Sequence, residues 1–364
     1  MTIEDSTMQL LHGQHSHQPH HIHPHAAQMV DRRTLLRSGA IGLGAMLLAA
    51  CGQSDSSSRG GVSASTPGDT ATPNTATGAI DSTTVATAVV GDEGLPGFEA
   101  FADSVKAFND GDWWLVESNG LPAHQMMVGI TSWQQQVPVP QAYSGTNAWQ
   151  IPRTPVLADE PVSARTGLFR GAIALAVNGV PIFNALNNRG DDAFLVGELD
   201  EFGGHCGRAD DYHYHVAPLH LQETVGVANP IAYALDGFAI YGSVEPDGSP
   251  LAELDEYNGH LGSDDVYHYH GTTTYPYING GLVGVVEVSD QVEPQPETPS
   301  FRPAGEPLPG ATITGFDDLG DGSYRLEFTL DGEVGSVDYT VTDSTVAFAF
   351  TSPSGDVTNE TYAR

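Results

Sequence analysis

Apolar and polar residues alternate with a period of two through the last part of the chain. Tyr324-Arg325-Leu326-Glu327-Phe328-Thr329-Leu330 places its large apolar side chains on one face, and Thr345-Val346-Ala347-Phe348-Ala349-Phe350 does the same. That period marks half-buried strands. Asp331-Gly332 between two such runs predicts a hairpin turn. Residues 310–364 therefore read as a small antiparallel β module with no evident catalytic residue, structural or adhesive in role. Upstream, 172–177 (Ala-Ile-Ala-Leu-Ala-Val) runs into Asn178-Gly179 and 231–235 (Ile-Ala-Tyr-Ala-Leu) into Asp236-Gly237, each a short apolar strand and a turn. A further strand is expected over 282–288. Helical periodicity is scarce. The best candidate is 97–109, with Phe98, Phe101, Val105 and Phe108 on one face. The expected fold class is mainly β: an internally duplicated central domain over 95–290, a Pro/Glu-rich linker over 291–309, and the β module.

The duplication is legible directly. ELDEFGGHCGRADDYHYH, from Glu198 to His215, lies without a gap on ELDEYNGHLGSDDVYHYH, from Glu253 to His270, with 12 of 18 positions identical at a shift of 55 residues. The likeness starts earlier, where Asn178-Gly179-Val180-Pro181 stands to Asp236-Gly237-Phe238-Ala239 with a three-residue difference in length between. Two copies are too few for a solenoid and predict packing about a pseudo-twofold axis.

Each copy ends in Tyr-His-Tyr-His. On an extended strand His213 and His215 share one face and Tyr212 and Tyr214 the other; His268 and His270, with Tyr267 and Tyr269, repeat the arrangement. Two histidines on one face form a two-point ligand, and His205 or His260, eight residues earlier, can fold back to complete three nitrogens. Three imidazoles suit a transition metal, copper or zinc foremost, and leave a coordination position open. The nearby carboxylates Glu198, Asp200, Glu201 and Asp210, and their counterparts Glu253, Asp255, Glu256 and Asp265, are candidates as ligands or as partners of the far ring nitrogens. Spacing leaves open whether the trios form two mononuclear sites or one binuclear centre. Cys206, beside His205, is a further candidate, but neighbouring strand residues face opposite ways and a buried free thiol is the expected outcome. His220 is a weak additional ligand candidate, and His124 reads as structural.

On Tyr212–Tyr214 with His215, on 267–270, and on Asn178-Gly179-Val180-Pro181 and Gly204-His205, the chain resembles the YHYH-domain proteins, over roughly 121–288. The resemblance implies no mechanism of its own; the metal reading rests on the ligand argument.

Composition and the N-terminus place the protein. Thirteen Lys and Arg against 46 Asp and Glu give a net charge of −33. That excess opposes binding to nucleic acid and to anionic membrane surfaces, and suits solubility in high salt. Arg32-Arg33 precede an apolar stretch too short to span a bilayer, which ends in Leu48-Ala49-Ala50-Cys51. Together these resemble a twin-arginine (Tat) lipoprotein signal. The resemblance implies export by the Tat translocase, already folded, and lipid on Cys51 holding the protein to the outer face of the cytoplasmic membrane or within the periplasm or cell envelope. Residues 1–50 are then a leader, and its histidine tract (His12, His15, His17, His20, His21, His23, His25) is given no function. Residues 51–94, rich in Ser, Thr, Gly, Ala and Pro, read as a flexible tether. With Cys51 lipidated, Cys206 has no intramolecular partner.

The leading expectation is therefore an exported, membrane-anchored metal-binding lipoprotein in metal handling or redox. A metal-dependent hydrolase or oxidase is the second reading, and a structural surface protein with metal-clamped repeats the third. No Gly-x-Ser-x-Gly elbow and no nicotinamide fingerprint occurs, and the single lysine, Lys106, lies in no phosphate loop.

Overall fold

The computed structural model describes residues 94–293 and 295–364, all within one compact unit, Ala79–Arg364. Arg32, Arg33, Cys51, the histidine tract and nearly all of the expected tether lie outside the described residues. The protein is mainly β. Among the described residues no helix is long and apolar enough to cross a membrane.

A three-stranded antiparallel sheet opens the described chain: β1 (Lys106–Asp110), β2 (Trp113–Glu117) and β3 (Trp149–Pro152). Here the expected helix over 97–109 gives way to a 3-10 turn, Phe98–Phe101, followed by β1. Gly97, at φ 92, holds a conformation that interrupts a helix at its start. Asp110 and Trp113 pair across a tight turn, so tertiary pairing with Trp-rich β2 overrides a weak helical period. Strand β4 (Leu157–Ser163) follows.

The centre is an eight-stranded sheet. The first copy supplies β5 (Ala172–Ala176), β6 (Pro181–Phe183), β7 (Gly204–Cys206) and β8 (Tyr212–Tyr214); the second supplies β9 (Ala232–Ala234), β10 (Ala239–Tyr241), β11 (Gly259–Leu261) and β12 (Tyr267–His270). A short helix α1 (Gln222–Val225) lies between the copies. The spatial order is β11-β12-β10-β9-β5-β6-β8-β7, the same sequence of strands read outward from the middle in both directions. At the middle, β5 and β9 run antiparallel with Leu175 opposite Tyr233, Ala174 opposite Ala234 and Ala176 opposite Ala232. Leu175 and Tyr233 each stand three residues before the turn of their own copy, so the register itself is the pseudo-twofold axis. Every residue of β5 is buried, and alanines at the seam let the two halves approach. Burying Ile173 and Leu175 stabilises the sheet by roughly 1.5–3 kcal/mol each.

Strand β13 (Gly281–Gly284) pairs with β4; the strand expected over 282–288 thus ends at Gly284, and a short π-helical turn follows at Val288–Val292. The C-terminal meander then follows: β14 (Thr312–Gly320), β15 (Ser323–Leu330), β16 (Glu333–Val341), β17 (Thr345–Thr351) and β18 (Val357–Ala363). Asp331 and Gly332 turn between β15 and β16 with φ 55 and 86, the left-handed pair that a two-residue hairpin requires.

The stretch expected to be a linker is packed chain instead. Arg302 is buried and donates from Nε and Nη2 to the Asp210 carboxylate, both at 2.6 Å. Gln295 exchanges hydrogen bonds with the Gln150 backbone, and Glu297 with Asn147. The meander also docks directly: Gly129 N–H donates to Ile313 O at 2.9 Å, Ile313 N–H to Ile130 O at 3.1 Å, and Trp133 lies against Phe328. Its proline and glutamate content reads as an interdomain linker; here it marks an irregular path fastened to the duplicated domain.

Candidate metal centre

In each copy an outer hairpin, β7–β8 or β11–β12, carries the histidines. His205 pairs directly opposite His213, and His260 opposite His268, so the third imidazole stands beside the strand pair as the spacing predicts. His215 and His270 complete the sets. The facing Nε2 atoms of His205 and His215 lie 3.0 Å apart, and those of His260 and His270 3.2 Å apart. Nitrogens bound to one tetrahedral ion at about 2.0–2.1 Å would lie roughly 3.3 Å from one another. The two groups, His205-His213-His215 and Glu245-His260-His268-His270, each bring their donor atoms within 4.8 Å and are positioned to hold a metal ion.

Backbone carbonyls orient the rings. His213 Nδ1 donates to Asp211 O at 2.9 Å and His215 Nδ1 to Asn184 O at 2.6 Å. In the second copy His270 Nδ1 donates to Gly242 O at 2.8 Å, and His268 bonds the Val266 backbone. An imidazole that donates from Nδ1 turns the lone pair of Nε2 inward. His268 Nε2 is buried with no hydrogen-bond partner. Burial pushes His215 down to about 3, with His213 adding to the effect, and His270 down to about 4. Burial likewise holds His205 well below the ordinary imidazole range, reinforced by His215 and His213, and lowers His268, with His260 adding to it. At neutral pH these rings are uncharged and each keeps one nitrogen free of a proton, the state a metal requires.

The tyrosines explain the other half of the motif. Tyr212 donates to Asp200 Oδ2 at 2.7 Å and Tyr267 to Asp255 Oδ2 at 2.9 Å. Tyr269 donates to Asp236 Oδ2 at 2.6 Å, and Tyr214 accepts from Asn178 Nδ2 at 3.0 Å. One face of each strand is thus anchored to a buried polar side chain while the other presents histidine.

Several candidate residues are placed elsewhere. Asp200 accepts from the N–H groups of Met127, Phe202 and Gly204 as well as from Tyr212, and Asp255 from Tyr257 and Gly259 as well as from Tyr267. Asp210 is held by Arg302 and Val137 N–H, and its counterpart Asp265 sits at φ 61 in an exposed turn. These four serve turns and anchors and do not reach the histidines. Glu253 is exposed. Glu198 lies at the rim of the first group, accepting from Asn187 Nδ2 at 3.2 Å and pairing with Arg189. Cys206 is buried on the face away from His205, and burial pushes its thiol well up, the opposite of what a thiolate ligand needs. His220 stands apart, packed edge-on against His124. His124 is structural: it stacks on Phe202 and its Nε2 meets the Tyr214 hydroxyl at 2.7 Å.

The open question of one centre or two is answered by the strand order. The two groups lie on outer hairpins at opposite ends of the sheet, with β6, β5, β9 and β10 between. They are two separate sites.

Glu245 is the residue that spacing did not single out. Its Oε1 lies 3.3 Å from His260 Nε2, and its Oε2 lies 3.6 Å from His268 Nε2 and 3.7 Å from His270 Nε2. Burial works to raise its carboxyl, but the Ala252 N–H and the three imidazoles together hold it below its ordinary value. Extending the offset of the Asn178 and Asp236 turns by nine residues would have found it, opposite Asn187.

No curated protein and no solved structure matches this chain. The model of one protein family does match, over residues 148–249, a span that takes in the first histidine trio and Glu245 and stops short of the second trio. The protein carries a YHYH domain, the domain of the YHYH protein family.

Proposed function

We propose that the protein is an exported, membrane-anchored lipoprotein that binds two transition-metal ions, one on each histidine trio, and serves in metal handling at the cell envelope. The observation that carries this reading is the convergence of Nε2 atoms in each half, with backbone carbonyls holding the Nδ1 protons of His215 and His270 so that their Nε2 lone pairs face the trio. Without an ion, His205 and His260 can close these contacts as ordinary hydrogen bonds from their own Nε2–H; with that proton on Nδ1, the nitrogens of each trio are free to share one cation. Copper and zinc both accept imidazole readily, and copper would add a redox role. The anchor rests on the sequence alone: Arg32-Arg33 for the Tat translocase, which carries folded protein, and Cys51 for the lipid.

A second reading, a metal-dependent hydrolase or oxidase, draws on the first site, which has three nitrogens, no carboxylate ligand and an adjoining cavity of about 400 Å³. A metal there would polarise a bound oxygen. The clamp reading is less well supported, because each trio closes a hairpin within one copy and bridges nothing between copies.

Elemental analysis of the full chain tests the reading, with His213→Ala, His268→Ala and the double variant alongside. The double variant also corrects for metal held by the N-terminal histidines. The intact chain should hold two equivalents more than the double variant, and each single variant one. Equal content throughout would overturn the proposal. For the anchor, Cys51→Ala should move the protein from the membrane fraction to the soluble one.

A further inference from the structure

The two halves of the sheet carry matching turns, yet the two sites differ in one carboxylate and in the charges around them. In each copy the strand β6 or β10 leads into a tight turn. Asn187 N–H donates to Asp191 O, and Glu245 N–H to Ser249 O; Gly190 N–H donates to Asn187 O, and Gly248 N–H to Glu245 O. The same turns are closed by the bridges Leu186 to Asp192 and Val244 to Pro250. Asn187 and Glu245 are therefore equivalent residues.

Their side chains behave differently. Glu245 reaches all three histidines of its copy. Asn187 reaches none. Its Oδ1 accepts from the N–H groups of Arg189 and Asp191 at 2.9 and 3.0 Å, and its Nδ2 donates to Glu198. The amide is tied down within its own turn, so no protein oxygen occupies the position that Glu245 fills in the second site. The space there is part of the cavity lined by Asn187, Arg189, Glu198, His205, His213 and His215.

Charge differs in the same sense. Arg189 occupies the place of Asp247, and Arg208 the place of Ser263. Both arginines line the cavity of the first site together with Glu198, to which Arg189 is paired, whereas Arg153, Glu245, Asp247 and Asp264 line that of the second. In a chain with 13 basic residues against 46 acidic ones, a cavity lined by two arginines and one carboxylate is a local exception and not the general field of the protein. A metal ion on three neutral imidazoles keeps its full positive charge; on three imidazoles and a carboxylate it keeps one unit less.

We infer that the first site is a binding site for a small external oxyanion, a carboxylate or carbonate-type ligand. This ligand would take on the metal the position that Glu245 takes internally in the second site, with Arg189 and Arg208 at its outer side. The second site is closed by its own carboxylate and takes no such ligand. The inference rests on the metal reading above and assigns different work to the two sites: one holds a metal with protein donors alone, the other holds a metal and an exchangeable anion.

Titrating azide, a small anionic probe with a charge-transfer band on copper(II), into the copper-loaded full chain tests it. Bound copper is measured in the same samples, and the His213→Ala/His268→Ala chain is subtracted as background. With two coppers bound, one azide should bind. Asn187→Glu should keep both coppers and weaken azide at least tenfold, and Glu245→Asn should raise the count to two azides wherever two coppers remain. Formate, bicarbonate and phosphate, each competed against azide, separate the sources: displacement by formate or bicarbonate supports the assignment. Two coppers with no azide bound, two azides on the unaltered chain, undiminished azide binding in Asn187→Glu, or displacement by phosphate alone would each overturn it. A copper count no higher than background would instead remove the metal reading beneath it.

Discussion

Asp236 accepts the hydroxyl of Tyr269 at 2.6 Å, and the same hydroxyl accepts the Val283 N–H at 2.8 Å. The tyrosine thereby ties the histidine strand β12 to β13 on the face opposite the metal centre. Two buried hydrogen bonds depend on one oxygen. Tyr269→Phe is expected to lower the unfolding free energy by about 2–4 kcal/mol, since it leaves a carboxylate oxygen and an amide short of a partner. Metal content should be unchanged, because the hydroxyl does not face the trio. Urea unfolding and elemental analysis of the same preparation check both parts. Loss of metal without loss of stability would assign the tyrosine to the site.

The second site has four donors where the first has three, so the two should release metal at different chelator concentrations. Stepwise chelation should therefore remove one equivalent first, and Glu245→Gln should bring the second release toward the first, by roughly 10–100-fold in affinity. Each metal should also stabilise the fold: at a hundredfold excess over Kd the gain is about 2.7 kcal/mol per site. For a unit of this size that corresponds to a rise in Tm of roughly 4–5 °C. A single release step, unchanged by Glu245→Gln, would contradict the assignment of Glu245 as a ligand.

What the sequence disclosed and what it withheld divide along physical lines. The β class, the duplication and the grouping of His205, His213 and His215 follow from periodicity two and from exact spacing, both of which depend on neighbours along one hairpin. Glu245 was hidden because it enters from a separate turn, outside the gapless match, with a three-residue length difference between it and the histidine segment. The carboxylates Asp200 and Asp255 sat close to the histidines in sequence, yet backbone N–H groups and tyrosine hydroxyls claim their oxygens. Residues 97–109 carried a helical period, but the Trp-rich strand beside them offered a better partner. The stretch around Arg302 read as a linker because proline and glutamate dominate it, and composition does not reveal that one arginine is aimed at Asp210.

Arg302 fastens that stretch to the duplicated domain. Its guanidinium donates twice to Asp210, once to Gln135 O at 2.8 Å, and stacks over Phe348 of the meander. Asp210 is itself buried, at φ 59 in the loop between β7 and β8. Arg302→Ala leaves that carboxylate without its counter-charge and is expected to cost about 3–5 kcal/mol. Arg302→Lys should recover only part of this, since an ammonium cannot make the paired contact. Denaturant unfolding of the three proteins checks the order, and a loss below 1 kcal/mol for the alanine variant would show that the stretch is not held here.

His124 sets a pH dependence of stability that is separate from the metal sites. Burial lowers it to about 4, the bond to Gln125 O works against that, and the charge of His220 lowers it further. Its Nδ1 donates to Gln125 O, so its Nε2 accepts the Tyr214 hydroxyl, and a second proton on the ring would abolish that acceptance. The folded value lies below the unfolded value of about 6.5, so between these limits the unfolded chain takes up a proton that the native protein refuses. The contribution is complete above pH 6.5 and is lost as pH falls toward 4. His124→Gln keeps an acceptor for Tyr214 and removes the titration. Urea midpoints of metal-free protein at pH 7, 6 and 5 should fall more steeply for the natural chain than for this variant. Parallel lines would mean that His124 is solvated in the native state, and its stacking on Phe202 would then have to be opened in solution.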